Sequence, residues 1–245
     1  MPHRYDTDFM IYADRTSRLA AETVIELLRG WFPLASVLDV GCARGTWLSA
    51  WADSGVGETH GVDGDYVDRD TLAIPANCFS AHDLSQPFQL SRSFDLVQSL
   101  EVAEHIQASA ADTFVKNLVR HASGLILFSA APPGQGGEFH LNEQPYEYWR
   151  EKLAAHGYVA CDCIRPRLAD NHQVSFWYRY NTLLYVHRDR LSTLNGNVRA
   201  SAVALDAQIS DISPLWFKIR KTIVRLLPNT VKEWLARAKA RHFSQ

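Results

Sequence analysis

Cysteine is scarce in this 245-residue chain, and several other signals are missing as well. Its four cysteines, Cys42, Cys78, Cys161 and Cys163, form no C-x-x-C pair. Neither a disulfide framework nor a structural zinc site is therefore indicated, and reduced thiols are expected. No uncharged apolar run reaches membrane-spanning length, and residues 1–6 lack the apolar core of a signal peptide. We expect a cytoplasmic protein.

Net charge is also small. The chain has 25 Lys and Arg against 27 Asp and Glu, a balance of −2, which gives no overall attraction for nucleic acid. A hydrophobic content of 47% and a charged content of 21% are those of an ordinary globular protein. The length suits one α/β core with appendages. Nucleic acid is therefore not expected as a partner, and a homodimer stays open.

The most informative feature that is present is a short apolar strand ending in an acid and a glycine turn. It reads V-L-D-V-G-C-A-R-G-T-W-L over residues 37–48, and a second apolar run ends at Asp63 and Gly64. In doubly wound sheets, ligands bind in the crevice at the carboxyl ends of the strands. Two strands that each deliver a carboxylate there, beside a glycine loop, predict a nucleoside site.

The glycine spacing separates two kinds of ligand. Dinucleotide sites read G-x-G-x-x-G, where the glycines let a pyrophosphate approach a helix. Here the turn reads Asp39-x-Gly41-x-x-x-Gly45, and its acid would repel a pyrophosphate. S-adenosylmethionine (SAM) carries an ammonium, a sulfonium and a ribose diol but no phosphate. The acidic turn favours SAM over NAD.

Two runs resemble the class I SAM-dependent methyltransferases. They are D-V-G-C-x-x-G-T-W with the later G-V-D-G, and F-D-L-V…E-V-x-E-H-I over residues 94–106, which is typical of the methyltransferase-domain 23 type. The resemblance implies SAM as cofactor, with Asp63 accepting from the ribose hydroxyls and Asp83 from the adenine amine. The alternative to an adenine contact for Asp83 is a turn-capping role. Ala43 stands at a position where many relatives have glycine. The expected SAM-binding residues are Asp39, Gly41, Cys42, Ala43, Gly45, Trp47, Asp63, Gly64, His82, Asp83, Leu84 and Leu100.

Apolar periodicity predicts an α/β protein with alternating strands and helices. Strands are expected near 36–40, 58–62, 77–80, 94–99 and 124–130, helices near 8–30, 46–54, 65–73, 109–121 and 145–156, and a closing antiparallel pair at 159–165 and 177–187. The predicted fold is a Rossmann-like doubly wound sheet, mostly parallel with an antiparallel closing strand pair, plus C-terminal helices. We expect an N-terminal helical cap (1–34), in which Tyr12 and Arg15 are candidates to face the SAM pocket, a methyltransferase domain (35–190) and a basic helical extension (191–245).

The run after the fourth strand carries acids and a histidine. If it is helical, Glu101, Glu104 and His105 share one face, and two carboxylates with an imidazole suit a divalent metal. The loop after the fifth strand delivers His140 to the same edge of the sheet. E-x-x-E-H with a later His resembles metal-assisted small-RNA 2′-O-methyltransferases, and E-x-x-E-H also resembles ubiquinone-pathway O-methyltransferases. The resemblance implies Mg or Mn bound by Glu101, Glu104, His105 and His140. Without a metal, His105 or His140 is the expected base, and the candidate catalytic residues are His105, His140 and Glu104.

The loop at residues 132–150 is the candidate acceptor site. Asn142, Gln144 and Tyr146 offer amides and an aromatic face, and Arg179 is a candidate anion clamp, with a buried structural arginine as the alternative. Such groups fit a polyhydroxylated ligand or a splayed nucleotide base. The structural alternative is that they simply begin a helix. We expect O-methylation of a hydroxyl on a sugar, glycan precursor or glycosylated metabolite. The alternatives are a phenol, quinone precursor or RNA terminus as acceptor, and a non-catalytic SAM-binding assembly module.

Residues 213–245 differ from the rest of the chain. They contain eight Lys or Arg and one acid, Glu233, and Ser213-Pro214 resembles a cap with a first-turn proline. An apolar stripe at helical spacing is formed by Trp216, Ile219, Ile223 and Leu226. The preferred interpretation is that this stripe docks on the protein's own domain or on a second subunit. The other interpretation is that this segment binds an anionic membrane surface, which would make the protein peripheral to the inner membrane, or binds an acidic partner.

Overall fold

A computed structural model describes the backbone of residues 7–228 and 231, with side chains from residue 16 onward in that range. The side chains of Tyr12 and Arg15, and most of the predicted basic helical extension after residue 228, lie outside the described residues. The strands are β1 (Ser36–Val40), β2 (Glu58–Asp63), β3 (Phe79–Ala81), β4 (Leu96–Leu100), β5 (Leu125–Ser129), β6 (Tyr158–Cys161) and β7 (Leu183–His187). The helices are α1 (Thr7–Arg29), α2 (Thr46–Asp53), α3 (Ala111–His121), α4 (Tyr146–Ala154), α5 (Arg165–Leu168), α6 (Phe176–Asn181), α7 (Gly196–Ala200) and α8 (Leu215–Leu226).

The described strands form one seven-stranded sheet in the order β3-β2-β1-β4-β5-β7-β6. Strands β1 to β5 pair in parallel, and β7 pairs antiparallel with both β5 and β6. The predicted fold class is confirmed. The strand order reverses between β1 and β4, and their carboxyl ends therefore border the crevice in which such folds bind ligands.

Both faces of the sheet are buried. Val37 and Leu96 pack with α1 and α2 on one face, whereas Leu38 and Val97 pack with α3 and α4 on the other. This alternation follows from the two-residue period of a strand. Burial on both faces explains why the central strands are almost entirely apolar.

The prediction of a strand over 177–187 is wrong for its first half. Residues Phe176–Asn181 form α6, and only Leu183–His187 form β7. The aromatic residues there favour a strand, but helical spacing places Tyr178 and Asn181 three residues apart on one face. Tyr178 meets Trp47 and Asn181 meets Glu101, so tertiary contacts override the local preference. The strand predicted at 159–165 likewise ends at Cys161.

The helix predicted at 65–73 is also wrong, because this segment forms only a single 3₁₀ turn at Arg69–Thr71. Asp68 caps that turn by accepting from the amide of Asp70. Farther on, Ala73 donates to the carbonyl of Arg44, and the side chain of Ile74 packs over Gly45. The segment is thus tied in extended form to the glycine turn after β1.

The chain beyond β7 packs back on the domain. Val198 and Ile209 are buried in the two hydrophobic clusters. Helix α8 begins after Pro214, which is its N-cap residue, so the capping role predicted for Ser213 is wrong. The domain boundaries at residues 34 and 190 remain predictions. Among the described helices, none is long and apolar enough to cross a bilayer.

Helix α8 docks through a different face from the one predicted. Phe217, Lys221 and Val224 face inward, whereas Trp216, Ile219, Ile223 and Leu226 are all more than half exposed. The part of the preferred interpretation in which this stripe docks on the protein's own domain is therefore wrong for the described residues, and docking on a second subunit stays a prediction. The inward face lies on the loop after β5, where a Cβ at Gly134 would stand 2.1 Å from the carbonyl oxygen of Lys221.

Candidate active site

The turn after β1 has a left-handed backbone at three of its residues. Gly41 and Gly45 have φ values of 87° and 83°, and Ala43 has a φ of 47°. A side chain at Gly41 would collide with Val102, since a Cβ there would lie 2.4 Å from its Cγ2. The left-handed region costs little for glycine and is strained for alanine, so Ala43 carries backbone strain in this turn.

Two carboxylates are buried beside this turn. Asp39 is 3% exposed and Asp63 is 4% exposed. Burial raises the pKa of Asp39 to about 7, and the nearby Asp63 adds to the effect. Burial also raises the pKa of Asp63, although hydrogen bonds oppose the shift. A ligand that brings positive charge or hydroxyl donors would stabilise the ionised form of both.

The hydrogen bonds of Asp63 already join the turn to the end of β2. Its Oδ2 accepts from the amide of Ala43 at 2.7 Å, and its Oδ1 accepts from the amide of Gly64 at 2.7 Å. Oδ1 also accepts from the hydroxyl of Tyr66 at 2.5 Å, a residue that the sequence reasoning missed. Tyr66 is 55% exposed, so a ribose diol would exchange with its hydroxyl at the rim of the crevice.

The remaining predicted SAM residues are buried or make contacts within the protein, and their contact with SAM stays a prediction. Trp47 and Cys42 are buried, and the Trp47 indole donates to Tyr178 Oη at 3.5 Å. Leu84 and Leu100 are buried, and the ring of His82 stacks on Phe88 with centroids 5.0 Å apart. Asp83 Oδ1 accepts from the amide and hydroxyl of Ser85. That is the turn-capping alternative, and an adenine contact by Asp83 stays a prediction.

The segment after β4 is not the helix that the sequence analysis assumed. Glu101 has a left-handed φ of 57°, and a single 3₁₀ turn follows at Ala103–His105. The i, i+3, i+4 spacing of a helix therefore does not describe the position of Glu101. Its Oε1 accepts from Asn181 Nδ2 at 3.1 Å and its Oε2 from Gln135 Nε2 at 2.7 Å. The prediction that Glu101 joins the metal ligands is not supported.

The other three predicted ligands do come together. Among the described residues, Glu104, His105 and His140 form a cluster in which one ligand atom of each lies within 4.8 Å of the others. The two imidazoles meet edge to face, with centroids 4.9 Å apart. Glu104 is 1% exposed, and its Oε2 has no hydrogen-bond partner in the described structure. A buried oxygen without a partner carries a large free-energy cost, which a bound cation would remove.

Each histidine of the cluster is oriented by its Nδ1. That of His105 donates to the carbonyl of Phe139 at 3.2 Å, and that of His140 donates to Glu143 Oε1 at 2.9 Å. In the neutral tautomer that these bonds favour, the lone pair of each ring lies on Nε2. Burial, with His140 alongside, lowers the pKa of His105 to about 3, so its imidazole is neutral. A carboxylate or carbonyl behind each imidazole is the usual support of metal-binding histidines.

Glu143 holds the loop around His140, and the sequence reasoning missed it. Its carboxylate accepts from the amides of Gly134 and Gly136 at 2.8 and 2.7 Å. Burial alone would raise the pKa of Glu143, but the hydrogen bonds from His140 and these amides lower it overall. Its position three residues after His140 was the available signal.

The four predicted acceptor residues do not form one surface. Tyr146 is buried, and its hydroxyl donates to Tyr180 and Asn181 inside the protein, so the prediction of a substrate contact there is not supported. Arg179 donates to Ala169 and His172, and its role as an anion clamp stays a prediction. Asn142 is buried within the loop and accepts from Gln144 Nε2 at 2.8 Å. Gln144 and Arg179 are half-buried.

Comparison with known proteins shows the family of this chain. The family model described as a methyltransferase domain matches residues 11–159. The chain belongs to this methyltransferase family. The curated proteins contain no match to it.

Solved structures have the same fold. The magnesium protoporphyrin IX methyltransferase of Synechocystis PCC 6803 with bound SAM is 18% identical, with a TM-score of 0.53 over 76% of this chain and 86% of that one. The sugar N-methyltransferase KedS8 of Streptoalloteichus sp. ATCC 53650 is 18% identical, with a TM-score of 0.53 over 72% and 88%. A putative O-methyltransferase of Nostoc punctiforme PCC 73102 is 11% identical, with a TM-score of 0.51 over 68% and 55%. The methyltransferase fold of this chain is thus that of class I SAM-dependent enzymes.

Proposed function

We propose that this methyltransferase transfers the methyl group of SAM to a hydroxyl oxygen of a sugar or glycan precursor, with Mg²⁺ or Mn²⁺ held by Glu104, His105 and His140. The observation that carries the proposal is the convergence of these three side chains just after β4. Strand β4 pairs directly with β1, so the cluster adjoins the turn that carries Asp39 and Gly41.

The residues around the turn fit SAM. The buried carboxylate of Asp39 suits the ammonium of the methionine part, and Asp63 suits the ribose hydroxyls. Gly41 and Gly45 allow the backbone to approach closely. When bound, SAM supplies an electrophilic methyl group on its sulfonium. The work of the crevice is to align the acceptor oxygen, the methyl carbon and the sulfur in a line.

The cluster also fits a divalent cation. Its donor set is one carboxylate oxygen and two imidazole nitrogens, and Glu104 Oε2 has no other partner. A cation there would lower the pKa of an acceptor hydroxyl, which is far too high for attack at neutral pH. Glu143 accepts from His140 Nδ1, which orients the ring so that Nε2 is the nitrogen available to bind a cation or to take the acceptor proton.

The acceptor class is supported by the loop that covers the cluster. Gln144 is half-buried there, and Glu138 and Phe139 precede His140. Amides and carboxylates beside aromatic groups are typical of sites for polyhydroxylated ligands. The presence of a sugar N-methyltransferase among the structural neighbours agrees with such an acceptor.

Methyl transfer from radiolabelled SAM tests the proposal. The full chain is dialysed against chelator and assayed with and without Mg²⁺ or Mn²⁺ on a panel of sugar nucleotides, phenols and RNA termini. We expect a sugar to be methylated, and chelation or Glu104→Gln to reduce turnover by about 100-fold or more. Glu151→Gln, on an exposed position, is the matched control and should keep full activity.

Two outcomes would contradict the proposal. Full turnover after exhaustive chelation would remove the metal and leave His140 as the base. SAM binding without product from any acceptor class would make the chain a non-catalytic binding module.

A further inference from the structure

Helix α8 presents an apolar stripe to solvent. Its members are 52% to 82% exposed, and they are Leu215, Trp216, Ile219, Ile223 and Leu226. At roughly 100° of rotation per residue, these five side chains fall within an arc of about 100°. A contiguous exposed apolar face of this kind, unlike single exposed apolar residues, is typical of an interaction site.

Exposed basic residues border the stripe on one side. Lys218 and Arg225 are exposed and lie on that side of the arc, whereas Arg220, on the other side, is half-buried and donates to Gln135. The helix contains four bases and no acid. Apolar and cationic groups are therefore presented by one helix in the same outward direction.

The inner face of α8 is already occupied, so the helix cannot roll to bury the stripe. Lys221, which is 7% exposed, pairs with Asp211 at 2.5 Å. Arg220 Nη1 donates to the carbonyl of Gln135 at 3.0 Å. The ring of Phe217 packs on Phe176, with centroids 4.7 Å apart. These contacts hold the apolar stripe outward.

We infer that the outer face of α8 docks on an anionic membrane surface. An interfacial helix buries an apolar face carrying Trp or Leu in the headgroup region while flanking Lys and Arg meet anionic lipid. Leu215 and Trp216 stand at the start of α8, and Lys218 and Arg225 flank the stripe. The sequence beyond Pro228 adds Lys232, Arg237, Lys239 and Arg241, which extends the attraction for such a surface.

Charge also argues against a second copy as the occupant. In a two-fold pair, the same patch meets itself. Lys218 and Arg225 of one copy would then lie near their equivalents, with no acid on α8 to compensate them. Like charges brought together in this way oppose pairing, whereas an anionic bilayer neutralises them.

Vesicle flotation of the full chain tests the inference. The vesicles are phosphatidylcholine alone or phosphatidylcholine with about one third phosphatidylglycerol, at low and high salt. We expect binding to the anionic vesicles only, weakened by salt. The double variant Ile219→Glu with Ile223→Glu should lose at least about tenfold in binding, because it places charge within the stripe. Leu205→Glu, at a turn residue that is 60% exposed, should bind like the unmodified chain.

The results distinguish an anionic membrane from a second copy of the chain as the partner of the stripe. The absence of binding to anionic vesicles, or equal binding by the double variant, overturns the inference. A dimer in analytical ultracentrifugation that the double variant abolishes, without vesicle binding, would assign the stripe to a second copy instead. Circular dichroism and the melting temperature of the variants show that they are folded. Binding does not depend on methyl transfer, so the outcome is independent of the proposed function.

Discussion

At the scale of single residues, the space around His140 is limited by a glycine. A Cβ at Gly137 would lie 2.1 Å from His140 Nε2 and 2.5 Å from its Cε1. Gly137→Ala should therefore displace the imidazole without disturbing the SAM crevice. Because a shift of about 1 Å at a reacting group can cost about 100-fold, we expect turnover to fall by roughly 10- to 100-fold. The dissociation constant for SAM, measured by calorimetry, should stay within about twofold.

Gly57→Ala is the matched control for this substitution. A Cβ at Gly57 would have no atom within 4 Å, so its turnover should be unchanged. Equal activity of the two variants would mean that the position of His140 is irrelevant to the reaction.

Sequence reasoning predicted the residues of the site whose position follows from a strand end. Asp39, Asp63 and the Glu104–His105 pair lie at or just after the carboxyl ends of β1, β2 and β4, as the apolar runs indicated. It failed at Glu101, whose left-handed backbone stands next to the close approach of Val102 to Gly41. That contact joins segments far apart in the chain, and local spacing carries no information about it.

At the scale of elements, α6 shows where periodicity fails. Its aromatic residues favour a strand, yet the segment is helical and directs Asn181 into a buried polar network. Asn181 Nδ2 donates to Glu101 Oε1 and to Gln135 Oε1, at 3.1 and 2.8 Å. The partners come from β4 and from the loop after β5, so the network fixes α6 against the site.

Asn181→Leu should therefore destabilise the protein. The substitution keeps a similar volume but leaves the oxygens of Glu101 and Gln135 without this donor in a buried site. Each orphaned buried group costs about 1–3 kcal/mol, so we expect the free energy of unfolding in urea to fall by at least about 2 kcal/mol. Asn77→Leu, at an exposed position, should change it by no more than about 0.5 kcal/mol. Equal effects of the two substitutions would show that the network contributes nothing.

At the scale of the whole molecule, charge is unevenly distributed. The net charge of −2 is the balance between +7 in residues 213–245 and −9 in the preceding residues. Part of that negative charge is buried at the crevice. With a pKa of about 7, Asp39 keeps its proton in the folded state at pH values where the unfolded chain, with an ordinary pKa near 4, has lost it. The stability of the ligand-free chain should therefore fall as the pH rises from about 4 to about 7.

This linkage predicts how S-adenosylhomocysteine, the demethylated product, stabilises the chain. Its ammonium favours ionised Asp39, so binding at pH 6 must expel a proton, at a cost of about 1.4 kcal/mol, whereas at pH 8 the proton is already lost. The rise in melting temperature at saturating ligand should be about 3–5 °C greater at pH 8. Asp39→Asn should abolish that difference.

NADH serves as the control ligand in the same scans, because the acidic turn should reject its pyrophosphate. A melting temperature raised by NADH and unaffected by S-adenosylhomocysteine would contradict the assignment of the crevice.

The contact between Gly134 and α8 has a consequence for the architecture of the enzyme. Gly134 lies against the carbonyl of Lys221, and its amide donates to Glu143, which in turn accepts from His140. Helix α8 thus supports the loop that positions the imidazole of His140. A truncation before Leu215 should therefore reduce methyl transfer and also remove the proposed membrane-docking face. Helix α8 is therefore a structural part of the candidate active site.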